Sequence, residues 1–189
     1  MIGIGITGTI GSGKGTVVEF LKKKGFKHYS ARTFIQKEVK KRGLSMNLEN
    51  VTKTANDIRK KFGPAYIFKE LLKIAEKEGG NFVIESLRNP GEIAALRKRK
   101  NFYVFAVDAN FEERYERLKS RNSDLDDLSF EKFKEIEAGQ MSSSDPNKQN
   151  LSKCMKAADY LFMNNGTVRE LEAQVESVLD EILKKRAVV

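Results

Sequence analysis

Apolar residues set two rhythms along this chain. Ile2, Ile4 and Ile6 alternate with Gly3 and Gly5 up to Thr7. That period-two run predicts a buried strand over residues 2–7, with small residues that permit close packing. Val17, Val18, Phe20 and Leu21 recur at helical spacing, which predicts a helix over residues 16–24 closed by Gly25. A short strand over residues 26–30 follows, then a helix over residues 32–42 stopped by Gly43. Two further helices, residues 48–62 and 65–77, are hinged at Gly63-Pro64 and ended by Gly79-Gly80. The pattern continues with a strand over residues 81–86 and a helix over residues 90–100 with Pro90 in its first turn. Residues 102–109 form a continuous apolar strand that must be buried on both faces. A charged helix covers residues 112–121 and a fifth strand residues 159–164. After an Asn165-Gly166 turn, Thr167 caps a last helix running to about residue 185. Residues 123–149 are polar, and SSSDPNKQN is their most loop-like part.

Five strands separated by helices imply βαβ units, an α/β fold with a parallel sheet. The expected organisation is one core domain of residues 1–31, 79–121 and 158–189. Two helical excursions, about 32–78 and about 122–157, interrupt it. Excursions from a compact α/β core are natural lids. The chain's 189 residues, 40% of them hydrophobic, are enough for one domain with a real core. No apolar run reaches the length of a membrane span, and the N-terminus lacks the marks of a signal peptide. The single cysteine, Cys154, cannot form an internal disulfide and reads as a small half-buried helix residue. These features point to the cytoplasm. The lone histidine, His28, argues against a histidine-based metal site and against a Ser-His-Asp triad.

The formal net charge of +9 suggests anionic partners: nucleotides, coenzymes or nucleic acid. Many lysines, however, sit on helix faces (Lys22, Lys23, Lys24, Lys40, Lys41, Lys60, Lys61), where a solvated basic surface explains them. The decisive string is GTIGSGKGT, Gly8 to Thr16. It follows a strand and opens a helix, the context in which a glycine-rich loop cradles phosphate. Backbone N–H groups around Gly11, Ser12 and Gly13 can wrap a phosphate, the helix N-terminus adds positive potential, and Lys14 can reach the β- and γ-phosphates. The usual G-x-x-x-x-G-K-[ST] pattern has a hydroxyl directly after the lysine. Here Gly15 follows Lys14 and the hydroxyl arrives at Thr16.

G-x-x-G-x-G-K-G-T resembles the adenylate kinase form of the loop, and the resemblance gives Thr16 a place in the magnesium shell. It covers nearly the whole chain. HYSARTFIQKEV (28–39) resembles the segment that opens the acceptor-binding domain of nucleoside monophosphate kinases. NFVIESLRNPGE (81–92) resembles the strand ending in an acid near magnesium followed by an arginine on the acceptor phosphate, roles that fall on Glu85 and Arg88. ERLKSR (116–121) resembles the lid start, placing Arg117 near adenine and Arg121 on phosphates. The tail ADYLFMNNGTVRELEAQVESVL (158–179) is closer to dephospho-CoA kinases, and its Asn164 and Gly166 are candidates to shape an adenine pocket. A set of archaeal-type adenylate-kinase-related proteins shares both ends and the strand end. The resemblance implies a P-loop NTPase fold, a three-layer α/β/α sandwich, with ATP and Mg²⁺ as cofactors.

The chain departs from the family at three places. Thr33 and Gln36 stand where an Asp and an Arg are usual, so Arg32 and Arg59 become the candidate acceptor-phosphate ligands. Glu85 replaces an aspartate, and the zinc cysteines of some lids are absent. The expected activity is transfer of the ATP γ-phosphoryl group to a nucleoside or deoxynucleoside monophosphate, with Lys14, Arg88 and Arg121 in the catalytic roles. Dephospho-CoA is the alternative acceptor. Phosphoryl transfer asks for positioning and neutralisation more than for covalent help. Asp108, at the end of the fourth strand, is a second candidate for the metal shell. Tyr29, Phe62 and Tyr66 could line the acceptor pocket, but such spacing is commoner in a core. An NTP-binding regulator or RNA-associated NTPase is the alternative from another class, although no nucleic-acid motif or aromatic-basic platform is present. No membrane partner is expected, and the chain is read as a monomer or small homo-oligomer.

Overall fold

The computed structural model describes residues 1–120 and 129–187. β1 (Gly3–Gly8) passes through the glycine-rich loop into α1 (Lys14–Lys23), and β2 (Lys27–Ser30) follows. Three helices, α2 (Ala31–Lys41), α3 (Leu48–Phe62) and α4 (Tyr66–Glu78), stand between β2 and β3 (Phe82–Leu87). Then come α5 (Pro90–Leu96), β4 (Phe102–Asp108), α6 (Phe111–Lys119), α7 (Phe130–Met141), α8 (Leu151–Lys156), β5 (Tyr160–Met163) and α9 (Val168–Ala187). The sheet runs β2-β3-β1-β4-β5, with every pair parallel. All strands therefore finish at one sheet edge. β1 lies between β3 and β4, which places its glycine-rich turn in the crevice where open α/β sheets bind ligands.

Both sheet faces are covered. Ile4, Ile6, Val83, Phe105, Val107 and Phe162 meet Val17 and Leu21 of α1 and Leu171, Val175 and Ile182 of α9. On the other face, Phe82, Ile84, Phe102 and Val104 pack under Ile35, Ile58, Phe68, Ile93 and Cys154. The result is the expected three-layer α/β/α sandwich. It also explains the alternation in β1. A Cβ built on Gly3 would lie 2.5 Å from Phe82 Cζ, and one on Gly5 would lie 2.5 Å from Leu87 Cδ1. The isoleucines fill one face while the glycines make room for neighbouring rings on the other.

Several local features differ from the sequence pattern, among them α8, whose residues 151–156 fall in no element that the pattern predicts. α7 lies inside the stretch read as polar. Its Ser129 N-cap accepts the Lys132 N–H at 3.2 Å. Its one buried side chain, Phe133, joins a cluster with Phe111 and Tyr115, and a single buried residue makes no apolar stripe. α5 ends at Leu96, short of residue 100: Arg97 caps it, and residues 97–101 turn the chain into β4, with Asn101 at φ 59°. β3 runs one residue further, to Leu87, through a bulge. Ile6 pairs with Glu85 but Thr7 pairs with Leu87, and the skipped Ser86 has φ 71°. Such bulges re-aim side chains at a strand end. Among the described residues, no helix is long and apolar enough to cross a membrane.

Candidate functional site

α1 begins at Lys14, and its N-cap is Gly13 in the left-handed region, φ 99°. No side chain caps this N-terminus and no acid lies in its first turn. The N–H groups of Gly11, Gly13 and Gly15 donate to no partner among the described residues. The loop's carbonyls are taken instead. Thr9 O accepts the Ser12 hydroxyl at 2.9 Å. Ile10 O accepts Arg114 Nη1 at 3.2 Å, and Ser12 O accepts Asn164 Nδ2 at 2.9 Å. Thr9 Oγ1 donates to Asp108 Oδ1 at 2.6 Å. With acceptors pinned and donors left over, the loop has the polarity of an anion cradle. Lys14 Nζ rests against Gly8 O at 3.0 Å and against Thr9 O. Thr16 is half-buried, in the first turn of α1.

β3 supplies the second part. Glu85 Oε1 lies 3.3 Å from His28 Nε2 on the adjacent strand. His28 beside it holds the Glu85 carboxyl below the usual glutamate range, helped by Ser30 and Lys14 against the opposing effect of burial. Lys14 and Glu85 thus act on each other across the β1–β3 ends. Arg88 follows Leu87. Burial depresses its guanidinium's proton affinity, with Arg59 and Arg32 acting in the same direction and Glu92 and Glu85 against it. The structure therefore brings Lys14, Glu85, Arg88, Arg59 and Arg32 into one electrostatic neighbourhood. Arg32 is exposed, whereas Arg59 is buried with Nε 3.4 Å from Glu92 Oε1 and Nη1 3.2 Å from Asn56 Oδ1.

Other sequence candidates have different surroundings. Arg117 donates through Nη2 to Asn164 O at 2.8 Å, so Arg117 and Asn164 form a chain behind the loop. Gly166 lies on an exposed turn beside Glu170. Arg121 lies outside the described residues. Asp108 holds Thr9 and its own neighbour's N–H, Ala109 N at 2.9 Å. Phe62 stacks on Tyr66 at 4.6 Å between centroids, and Tyr29 donates to Glu78 Oε2 at 2.8 Å. Burial pushes the Cys154 thiol up to about 12, which fits an inert core cysteine. Among the described residues, no group of three or more His, Cys, Asp or Glu could hold a metal. A hard cation bound largely through phosphates and water needs no such cage.

Several residues here were not singled out in the sequence. Arg114 is buried, ties Ile10 O and Ala109 O, and meets Glu137 of α7. Its signal was weak: one arginine among charged neighbours in FEERYER. Glu92 is wholly buried, and its Oε2 accepts the N–H groups of Arg88 at 2.7 Å and Asn89 at 3.0 Å. Gln140 and Gln149 both accept from Arg88 Nη1, at 3.0 and 3.1 Å.

The strand order, the loop geometry and the β3 end define a P-loop protein with a kinase-like fold. The AAA domain family model matches residues 4–142. The chain belongs to that family and to the UPF0200 proteins, one of which, from Thermococcus kodakarensis, is 31% identical over 186 residues, covering 95% of this chain and 97% of that one. Among solved structures, shikimate kinase from Bacteroides thetaiotaomicron is similar in fold at a TM-score of 0.58 and 12% identity, covering 95% of this chain and 98% of that one. Dephospho-CoA kinase from Campylobacter jejuni is similar at 0.53 and 19%, covering 95% and 96%.

Proposed function

We propose that this protein is an ATP- and Mg²⁺-dependent phosphotransferase of the nucleoside monophosphate kinase type. Its acceptor is a nucleoside or deoxynucleoside monophosphate. One observation carries the reading: the P-loop lysine and the open first turn of α1 stand beside a strand end where Lys14 acts on the Glu85 carboxylate and Arg88 feels Arg59, Arg32 and Glu85. The loop takes the ATP phosphates on its N–H groups, and Lys14 swings from the loop carbonyls onto the β- and γ-phosphates. Thr16 and the anionic Glu85 are the groups that would hold Mg²⁺, which supplies neutralisation of phosphate charge when bound. Arg88, with the exposed Arg32, grips the acceptor phosphate; arginine suits this because its fork binds phosphate bidentately. Arg59, buried against Glu92, adds its field from behind them in place of the direct contact expected of it. Arg117, Asn164 and Gly166 lie on the adenine side, and Arg121 completes the phosphate contacts. Residues 32–78 and 122–157 are the two lids, whose closure excludes water.

The C-terminal likeness to dephospho-CoA kinases rests on residues with bracing roles. Asp159 accepts the Val104 N–H at 2.7 Å, and Asn164 holds Ser12 O. Those roles serve any acceptor, so the monophosphate reading is retained. The test is a coupled ATP-consumption assay with Mg²⁺. Its acceptors are all nucleoside and deoxynucleoside monophosphates plus dephospho-CoA, with an acceptor-free control and the Lys14→Ala variant. Stimulation by a monophosphate, abolished in a folded Lys14→Ala protein, is expected. Stimulation by dephospho-CoA alone would replace the acceptor. Acceptor-independent turnover would support an NTPase or regulator instead.

A further inference from the structure

Three arginines near the carboxyl edge of the sheet are withdrawn from water to different degrees: Arg59 and Arg114 are buried, and Arg88 is half-buried. Arg59 faces the carboxylate of Glu92, and Arg114 faces that of Glu137. Both pairs follow the rule that a guanidinium withdrawn from water is matched by a carboxylate. Arg88 is the exception. Its Nη1 meets two amide oxygens, Gln140 Oε1 and Gln149 Oε1, and no carboxylate among the described residues lies within ion-pair distance of it. Amide oxygens solvate and orient a guanidinium but do not cancel its field.

The two glutamines are held in place. Asn89 Nδ2 donates to Pro146 O at 2.6 Å and Lys148 O at 2.7 Å, and Asn150 N donates to Arg88 O at 2.7 Å. This ties the chain around Gln149 to the end of β3. Gln140 sits on α7 three residues after Glu137, hence on the same helix face. One face of α7 thus gives a carboxylate to the arginine that braces the P-loop and an amide to the arginine at the acceptor strand.

We propose that Gln140 and Gln149 are positioning residues. They fix the Arg88 guanidinium without neutralising it, so that its full charge is available to a phosphate group of the acceptor. This rests on the reading of Arg88 as an acceptor ligand. It adds that two neutral side chains from the 129–150 segment set the affinity of the site for anions.

The test is Gln149→Glu, which keeps the side chain's shape and adds a carboxylate beside Arg88, compared with Gln149→Met, which removes the amide without adding charge. The probe is inorganic phosphate, titrated by ³¹P NMR onto protein whose P-loop is filled with ADP and Mg²⁺. Gln149→Glu should weaken phosphate binding by about tenfold or more, the effect of one opposite charge at close range. Its ADP affinity and thermal midpoint should stay near wild type, and Gln149→Met should lose less. Equal phosphate affinity in wild type and Gln149→Glu overturns the proposal, as does absence of phosphate binding in the wild type. A parallel fall of thermal midpoint and ADP affinity in both variants also overturns it, since that is the signature of a purely structural contact. If Gln149→Glu does not fold, Gln140→Glu poses the same question from α7. Wild-type turnover of an acceptor with an unchanged KM in Gln149→Glu sinks this proposal and leaves the kinase reading standing. Loss of phosphate affinity in a protein that phosphorylates no acceptor does the reverse.

Discussion

Glu92→Gln is the sharpest probe of how the acceptor side is held. Glu92 is fully buried, and one oxygen accepts two backbone N–H groups at the β3–α5 turn while the other faces Arg59. Burial pushes its carboxyl up, while Arg59 and the two N–H donors pull it back. Glutamine keeps the shape and one acceptor oxygen but puts an NH₂ group or a neutral oxygen against a buried guanidinium. Removing one partner of a buried pair costs about 3–5 kcal/mol because the other charge is left uncompensated. Retained turn hydrogen bonds place Glu92→Gln near the lower end. For a chain of this size, a loss of about 3 kcal/mol corresponds to a fall of about 6–12 °C in thermal midpoint. The assay is urea and thermal unfolding by circular dichroism of wild type, Glu92→Gln, Arg59→Met and the double variant. The double variant should recover part of the loss, because it no longer buries an unpaired charge. A Glu92→Gln protein within about 1 kcal/mol of wild type, or a double variant whose losses simply add, would refute the reasoning.

Gly5→Ala should destabilise by about 1–3 kcal/mol through overpacking, since its Cβ meets Leu87 Cδ1 at 2.5 Å and Phe102 Cζ at 2.9 Å; denaturant unfolding reads this. Gly15→Ser should leave stability unchanged or slightly raised, because a Cβ there meets nothing within 4 Å and φ is not left-handed; a clear drop in thermal midpoint would count against it. The Glu85 carboxyl has its pKa lowered in the folded state, so between the folded and unfolded values the unfolded chain binds more protons and stability rises with pH. Its contribution is complete above the ordinary glutamate value and is lost as pH falls through the folded one. Glu85→Gln should flatten that part of the acid-unfolding curve, and an unaltered curve would show that His28 and Lys14 do not hold the carboxylate.

The loop and its flanking elements were legible because their cause is local. A strand, a glycine that alone tolerates φ 99° at Gly13, and a helix with no capping acid are written in consecutive residues. The alternating isoleucines and the doubly buried strand of residues 102–108 gave the sheet for a similar reason. α7 was missed because its one buried residue gives no period. Arg88 and Glu92 stand four residues apart, a spacing that would suit a side-chain pair. In the fold Glu92 accepts the backbone of Arg88 and pairs with Arg59, thirty-three residues earlier.

By itself the sequence determined the alternation of strands and helices that makes a parallel α/β fold, the phosphate loop and the charged side chains that chemistry would draw upon. Patterns within one element carry that information. Only the tertiary structure decided which arginine receives which partner: a carboxylate from α5 for Arg59, one from α7 for Arg114, and two amides for Arg88. Those matches join residues up to 61 positions apart. They depend on how β3, α3 and α7 converge at the sheet's carboxyl edge, where burial turns each unpaired charge into a large energy.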